Sequence, residues 1–250
     1  MDSTALYKKI KNIEIKNEKI LEDIEGDDLK KKLEGCKFTD TYRHGKYLFV
    51  HTDNEEFLLI HFGMTGYLKY YKNKDSRPSH ARLIFKMDDG YSLAFINQRL
   101  LGKINLIDSC EKYIKRHDLG PDALRLEKDE FKKLFKESKA YIKSILMDQS
   151  KICGIGNIYS DEICYQMNIH PETKADTFKE KVVEEIYVKM RNILEEAINK
   201  NYKNISLPDD WLIKNRNEGD ECPSCKGNIK KIKVSGRSSY FCPYCQKKSN

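Results

Sequence analysis

A chain of 250 residues, 39% hydrophobic and 34% charged, is too long for one small module and can bury a core beneath a heavily solvated surface, so two domains plus an appendage are expected. No run approaches the roughly 18 apolar residues of a membrane span, and the start, MDSTALYKKIKNIEIKN, lacks the apolar centre of a signal peptide. The expectation is an intracellular protein, where cysteines serve metals more often than disulfides. A net charge of +7 leans towards polyanionic partners, although richness in Lys, Asn and Ile is equally the mark of an AT-rich genome.

From about residue 11 to 108 the chain reads as strands. KYLFVHT, FLLIHF, YLKYY, ARLIFKM and YSLAFI alternate apolar and polar positions, punctuated by DNEE, NKDSRPS and DDG. Period-two alternation with turn punctuation predicts antiparallel sheets packed as a sandwich, with a hairpin turn at Asp88–Gly90. Near Ser109 the texture changes. LEKDEFKKLFKES, YIKSILMDQ, NIYSDEICYQM and TFKEKVVEEIYVKMRNILEEAINKN carry apolar residues at helical spacing, and DLGPDAL around Pro121 reads as a linker. A short, basic, cysteine-bearing piece begins near Trp211. The expected class is α+β, with a β-sandwich over 1–108, a linker over 109–122, a helical domain over 123–207 and a zinc-bearing hairpin over 208–250.

Cys222-x2-Cys225, sixteen further residues and Cys242-x2-Cys245 match the four-cysteine zinc pattern, because two residues between cysteines let both thiolates of a knuckle face one tetrahedral ion. So small a unit has little core of its own, so one structural zinc ion is expected. IKKIKVSGRSSYF between the pairs is long enough for two strands turned near Gly236, and it presents Arg237 at the turn with Lys230, Lys231 and Lys233 before it. Cys36, Cys110, Cys153 and Cys164 stand singly and are expected to fill core space. Gly154-Ile155-Gly156-Asn157-Ile158-Tyr159 lies between two helical patterns. A glycine turn opening a helix leaves N–H groups free for phosphate, and Asn157 can add a side-chain hydrogen bond; a plain connection has the same look, and these residues alone leave both readings open.

MDQSKICGIGNIYSDEICYQMNIHP closely resembles the helix–two-turn–helix signature of the formamidopyrimidine-DNA glycosylase and endonuclease VIII family, which excises oxidised bases and nicks the abasic strand. GRSSYFCPYCQKK resembles the zinc-finger end of that family, HFGMTGYL (His61–Leu68) its N-terminal-domain motif, RHGKYL (Arg43–Leu48) the stretch before it, and DLGPDAL its interdomain linker. The order and spacing agree from about residue 10 to 247. The resemblance implies base excision repair on double-stranded DNA carrying an oxidised base or an abasic site, by a monomer with one structural zinc and a helix–two-turn–helix DNA-binding domain. It implies that Lys46 contacts the phosphate beside the lesion, that Asn157 binds phosphate, and that Arg237 grips the phosphates flanking the flipped-out nucleotide. Met64 resembles the residue that fills the gap in the base stack, a physical need because an extruded base leaves a space that would otherwise close. His61 and His80 are expected to be structural or to support the residues that contact the ligand.

The chain departs from the family pattern in three places. The family nucleophile is an N-terminal proline followed by glutamate; here the chain reads Met1-Asp2-Ser3-Thr4-Ala5-Leu6 and the first strand pattern starts at Ile10, so the helix carrying that pair is expected to be missing and no catalytic residue is assigned. Where the family commonly has Asp-Pro-Arg-Arg-Phe-Gly the chain has Asn97-Gln98-Arg99-Leu100-Leu101-Gly102. Arg99 and Gly102 match and Arg99 joins the DNA-binding set, whereas Leu100 lacks the hydrogen bonds to read an opposite base, which implies altered opposite-base preference. The segment NYKNISLPDDWLIKNRNEGDE is short beside family members that cap 8-oxoguanine with an extended loop, which implies a pyrimidine-lesion or broad preference. Two functions follow from the resemblance: a glycosylase that cleaves at abasic sites if an N-terminal amine is supplied, or an inactive module that keeps the grip on lesion or abasic DNA.

Overall fold

The computed structural model describes residues 4–73, 75, 77–200 and 207–248. The chain divides into two compact units, Met1–His117 and Asp118–Asn250.

In the first unit the alternating segments form β1 (Ile10–Ile15), β2 (Phe38–His44), β3 (Tyr47–Thr52), β4 (Phe57–His61), β5 (Tyr67–Lys72), β6 (Ala81–Met87), β7 (Tyr91–Ile96) and β8 (Lys103–Ile107). They pair antiparallel as two four-stranded sheets, β1-β6-β7-β5 and β2-β3-β4-β8. The sandwich is held by the inward set of each strand. Leu58 and Ile60 of β4, Leu83 and Phe85 of β6, and Leu93 and Phe95 of β7 share one core, in which each fully buried side chain contributes about 1.5–3 kcal/mol. β6 and β7 are buried on their other face as well, where Ile84, Ala94 and Ile96 form a separate cluster with Tyr71.

Two features differ from the sequence expectation in this unit. The region read as strands alone contains a helix, α1 (Gly26–Leu33), whose only buried side chains are Leu29 and Leu33. Two leucines in one lysine-rich turn are too few to set a period. Cys36 and Cys110 are only half-buried, unlike Cys153 and Cys164, which do fill core space. The change of texture at Ser109 is the N-cap of α2 (Cys110–Arg116), with Ser109 Oγ accepting the Lys112 N–H at 3.3 Å.

The second unit packs α3 (Lys128–Lys136), α4 (Ile142–Met147), α5 (Asn157–Gln166) and α6 (Glu180–Asn199) around one apolar core. Val183, Ile186, Met190, Ile193 and Ala197 give α6 a single buried face at alternating three- and four-residue steps. α5 is different, because Ser160 to Tyr165 are all buried, two acids among them. β9 (Lys230–Val234) and β10 (Arg237–Phe241) form the expected hairpin, with Val234 opposite Arg237 across Ser235 and Gly236, both at positive φ. Among the described residues no helix is long and apolar enough to cross a membrane.

Candidate nucleic-acid interface

In the first unit the motif residues gather on adjoining turns. Lys46 occupies the two-residue turn between β2 and β3, after Gly45 at φ +56°, and is exposed. His61 ends β4, opposite Tyr47 in register, with ring centroids 5.0 Å apart. Burial and the nearby Lys46 ammonium push the His61 imidazole below its ordinary 6.5. A neutral ring fits its contact, since Gly63 N–H donates to His61 Nδ1 at 3.3 Å.

The turn that follows holds an apolar side chain out in solvent. Met64 is 71% exposed although apolar, and Leu101 is 46% exposed. Gly63 has φ +64°, and a Cβ there would meet the Leu101 carbonyl carbon at 2.6 Å, so this turn and the 97–102 loop lie backbone against backbone. Buried Asn97 clasps the two: its Nδ2 donates to Phe62 O at 3.0 Å and its Oδ1 accepts the Leu101 N–H at 3.1 Å. Arg99 is exposed and its guanidinium donates to Met64 Sδ at 3.5 Å. Leu100, at φ +55°, turns the other way and packs against the sandwich core. The polar group beside Met64 is therefore Arg99.

In the second unit α4 and α5 are joined by a turn that the Gln149 side chain ties together across its length. Gln149 Nε2 donates to Met147 O and Ile155 O, both at 2.9 Å, and its Oε1 accepts the Gly154 N–H at 3.1 Å. α5 then starts on Gly156 with no side-chain cap. Asn157, its first residue, has a buried Oδ1 with no partner, and its carboxamide makes no hydrogen bond among the described residues. An unpaired amide at an uncapped helix start suits an external anion. Arg237 is exposed at the hairpin tip, and its guanidinium likewise has no hydrogen-bond partner among the described residues.

What links Asn157 to Arg237 is a residue the sequence reading did not single out. Asp161, one turn along α5, is fully buried. Its Oδ1 accepts from Lys143 Nζ at 2.5 Å and Ser239 Oγ at 2.7 Å; its Oδ2 accepts from Arg216 at 2.6 and 3.0 Å and from Tyr240 N at 3.2 Å. Lys143 also donates to Ser238 O at 3.0 Å, and Ser144 meets Ser235 at 2.7 Å. The hairpin that carries Arg237 is thus fastened to α4 and α5 through a saturated carboxylate. Burial pulls the Lys143 ammonium below its ordinary 10.5 against the pull of Asp161. Next to it, buried Glu162 accepts the backbone N–H groups of Leu212 and Ile213, at 3.3 and 2.9 Å, which places the segment carrying Arg216. Burial raises its carboxyl from 4.5 to about 7. A signal for both acids was present: NIYSDEICYQM sets them within an otherwise apolar helix, where a charge must find partners.

The sulfurs of Cys222, Cys225, Cys242 and Cys245 all lie within 4.8 Å of one another. Two of the pairs are 3.4 and 3.9 Å apart, close to the roughly 3.8 Å edge of a tetrahedron of zinc–thiolate bonds. The donor set and its size fit one zinc ion, which these four residues are placed to bind.

Three family models match in chain order: the formamidopyrimidine-DNA glycosylase N-terminal domain over residues 1–104, the formamidopyrimidine-DNA glycosylase H2TH domain over 119–209, and the zinc finger found in FPG and IleRS over 219–248. The formamidopyrimidine-DNA glycosylase of Mycoplasma mobile is 34% identical over 96% of this chain and 92% of its own length; that of Pelotomaculum thermopropionicum is 32% identical over the same shares. Among solved structures, Lactococcus lactis Fpg bound to a Fapy-dG-containing DNA and the same protein bound to an abasic-site DNA each superpose with a TM-score of 0.87. Each is 28% identical to this chain and covers 98% of it and 95% of its own length.

Proposed function

The chain belongs to the formamidopyrimidine-DNA glycosylase family, and from that premise we propose that it grips duplex DNA at an oxidised base or an abasic site, as a DNA-repair protein of the base excision pathway. The observation that carries the reading is Met64: an apolar side chain held in solvent by a locked turn, with the Arg99 guanidinium 3.5 Å from its sulfur. Exposure of that kind is costly unless a partner covers it, and a base stack with one base removed is an apolar slot of the right chemistry. Lys46, Asn157 and Arg237 supply phosphate contacts, Arg99 meets the opposite strand beside the wedge, and Cys222, Cys225, Cys242 and Cys245 hold the zinc that stiffens the Arg237 hairpin. The work divides over a sandwich (1–108), a linker (109–122), a helix–two-turn–helix domain (123–207) and a zinc finger (208–250), with the cytoplasm as the compartment, in keeping with reduced zinc thiolates.

Base removal and strand cleavage in this reading need an amine nucleophile at the N-terminus, and residues 1–3 lie outside the described residues, as do residues 201–206 of the segment on which lesion preference was read. Borohydride treatment with abasic DNA separates the two functions, since a glycosylase of this kind traps as a covalent adduct and a binding module does not. The grip itself is tested with Met64→Ala. The variant should keep binding undamaged duplex while losing most of its preference for an abasic-site duplex; equal preference in variant and parent would remove Met64 from the interface.

A further inference from the structure

Asn157, Asp161 and Tyr165 are spaced i, i+4, i+8 along α5 and so share one stripe of the helix. Asn157 is uncommitted and Asp161 fastens the hairpin. Tyr165 is 5% exposed; its phenol oxygen accepts the Ser224 N–H at 3.1 Å and lies 3.5 Å from Cys222 Sγ. With Ser224 donating to the oxygen, the one hydroxyl hydrogen is left to donate, and Cys222 Sγ is the acceptor within its reach among the described residues. A zinc-bound cysteine is a thiolate, so the hydrogen bond is charge-assisted.

We propose that Tyr165 is a positioning residue for the zinc ion: its hydroxyl orients the Cys222 sulfur and withdraws part of its charge, so that retention of the ion and the inertness of Cys222 are governed by helix α5. A thiolate that accepts a hydrogen bond is a weaker nucleophile and is captured less readily by a proton or an electrophile. The four ligands are then unequal. Cys225 is exposed, and its sulfur receives no oxygen or nitrogen donor among the described residues, so it is the point at which an electrophile enters. The inference rests on the zinc site and not on the DNA reading; it would stand if the chain bound no lesion.

The test uses the zinc-loaded full chain with an excess of a chromogenic chelator. Tyr165→Phe keeps the ring and removes the donor, and should release zinc on the order of 10-fold faster. Peptide mapping after brief treatment with N-ethylmaleimide should then find Cys222 modified together with Cys225, whereas in the parent Cys222 lags. Placing 3-fluorotyrosine at position 165 gives a stronger donor of the same shape and should slow release below the parent rate. Equal release from all three side chains, with an unchanged order of alkylation, overturns the proposal. If Tyr165→Phe fails to load zinc, the fluorotyrosine protein decides: release as fast as or faster than the parent overturns it.

Discussion

At the scale of single residues the second unit depends on a charge it cannot leave unpaired. Lys143 and Asp161 are both fully buried, and Asp161 has five donors on its two oxygens. Removing the carboxylate alone strands a buried ammonium, so Asp161→Ala should cost about 3–5 kcal/mol in urea unfolding of the zinc-loaded protein. Replacing both partners by apolar residues of similar size, Lys143→Met with Asp161→Leu, should recover part of that loss while Arg237 loses its fixed position; an Asp161→Ala variant as stable as the parent would contradict the assigned network. Glu162 gives a dependence on pH. Its carboxyl is raised from 4.5 to about 7, so below 4.5 it is neutral folded or unfolded and contributes nothing to pH dependence. As pH rises from 4.5 to 7 the unfolded chain ionises first and stability falls, by at most about 3 kcal/mol, then levels off. Glu162→Gln should flatten the stability profile across that window relative to the parent, read by denaturant melts, and an identical slope in the two proteins would show that Glu162 does not titrate there. Glu14, held down to about 2 by Lys16 and Lys86, acts at lower pH and does not enter this window.

At the scale of elements, the residues of the proposed interface sit on turns held from within. Asn97 joins the turn that exposes Met64 to the loop that exposes Arg99, and Gln149 does the same service for the turn that opens α5. Asn97→Ala should cost about 1–3 kcal/mol, since it leaves the Leu101 N–H without its acceptor and the Phe62 carbonyl with the Gly66 N–H alone, and lesion preference should fall along with stability. Calorimetry and binding on the same preparation check this; a loss of stability with lesion preference intact would mean that the two turns do not need to be held together. These clasps were the part of the site least visible in the sequence. The strands announced themselves by period two, the helices by apolar spacing, and the zinc site by its paired cysteines, because each of these is a repeating local pattern. Asn97, Asp161 and Arg216 act across 35, 78 and 55 residues of chain, and no local pattern marks such partners. α1 escaped for a related reason: one lysine-rich turn with two leucines carries too short a signal. A motif position also does not tell which way a residue turns, and Leu100, at φ +55°, packs towards the core.

At the scale of the whole molecule the residues proposed to contact DNA are divided, with Lys46, Met64 and Arg99 on one unit and Asn157 and Arg237 on the other. In the proposed function each unit contributes phosphate contacts of its own to a duplex, which is charged along its whole length. Phosphate contacts supply most of such binding and fall with salt, whereas the wedge acts only where a base is missing. Damage preference should therefore persist as salt rises and total affinity falls. The most direct measurement is fluorescence anisotropy of the zinc-loaded chain on two duplexes of one sequence, intact and with a single abasic-site analogue, over a range of salt concentrations. Binding to the abasic duplex should be at least about 10-fold tighter at every salt concentration, together with a steep common decline. Equal affinity for the two duplexes would contradict the proposed function.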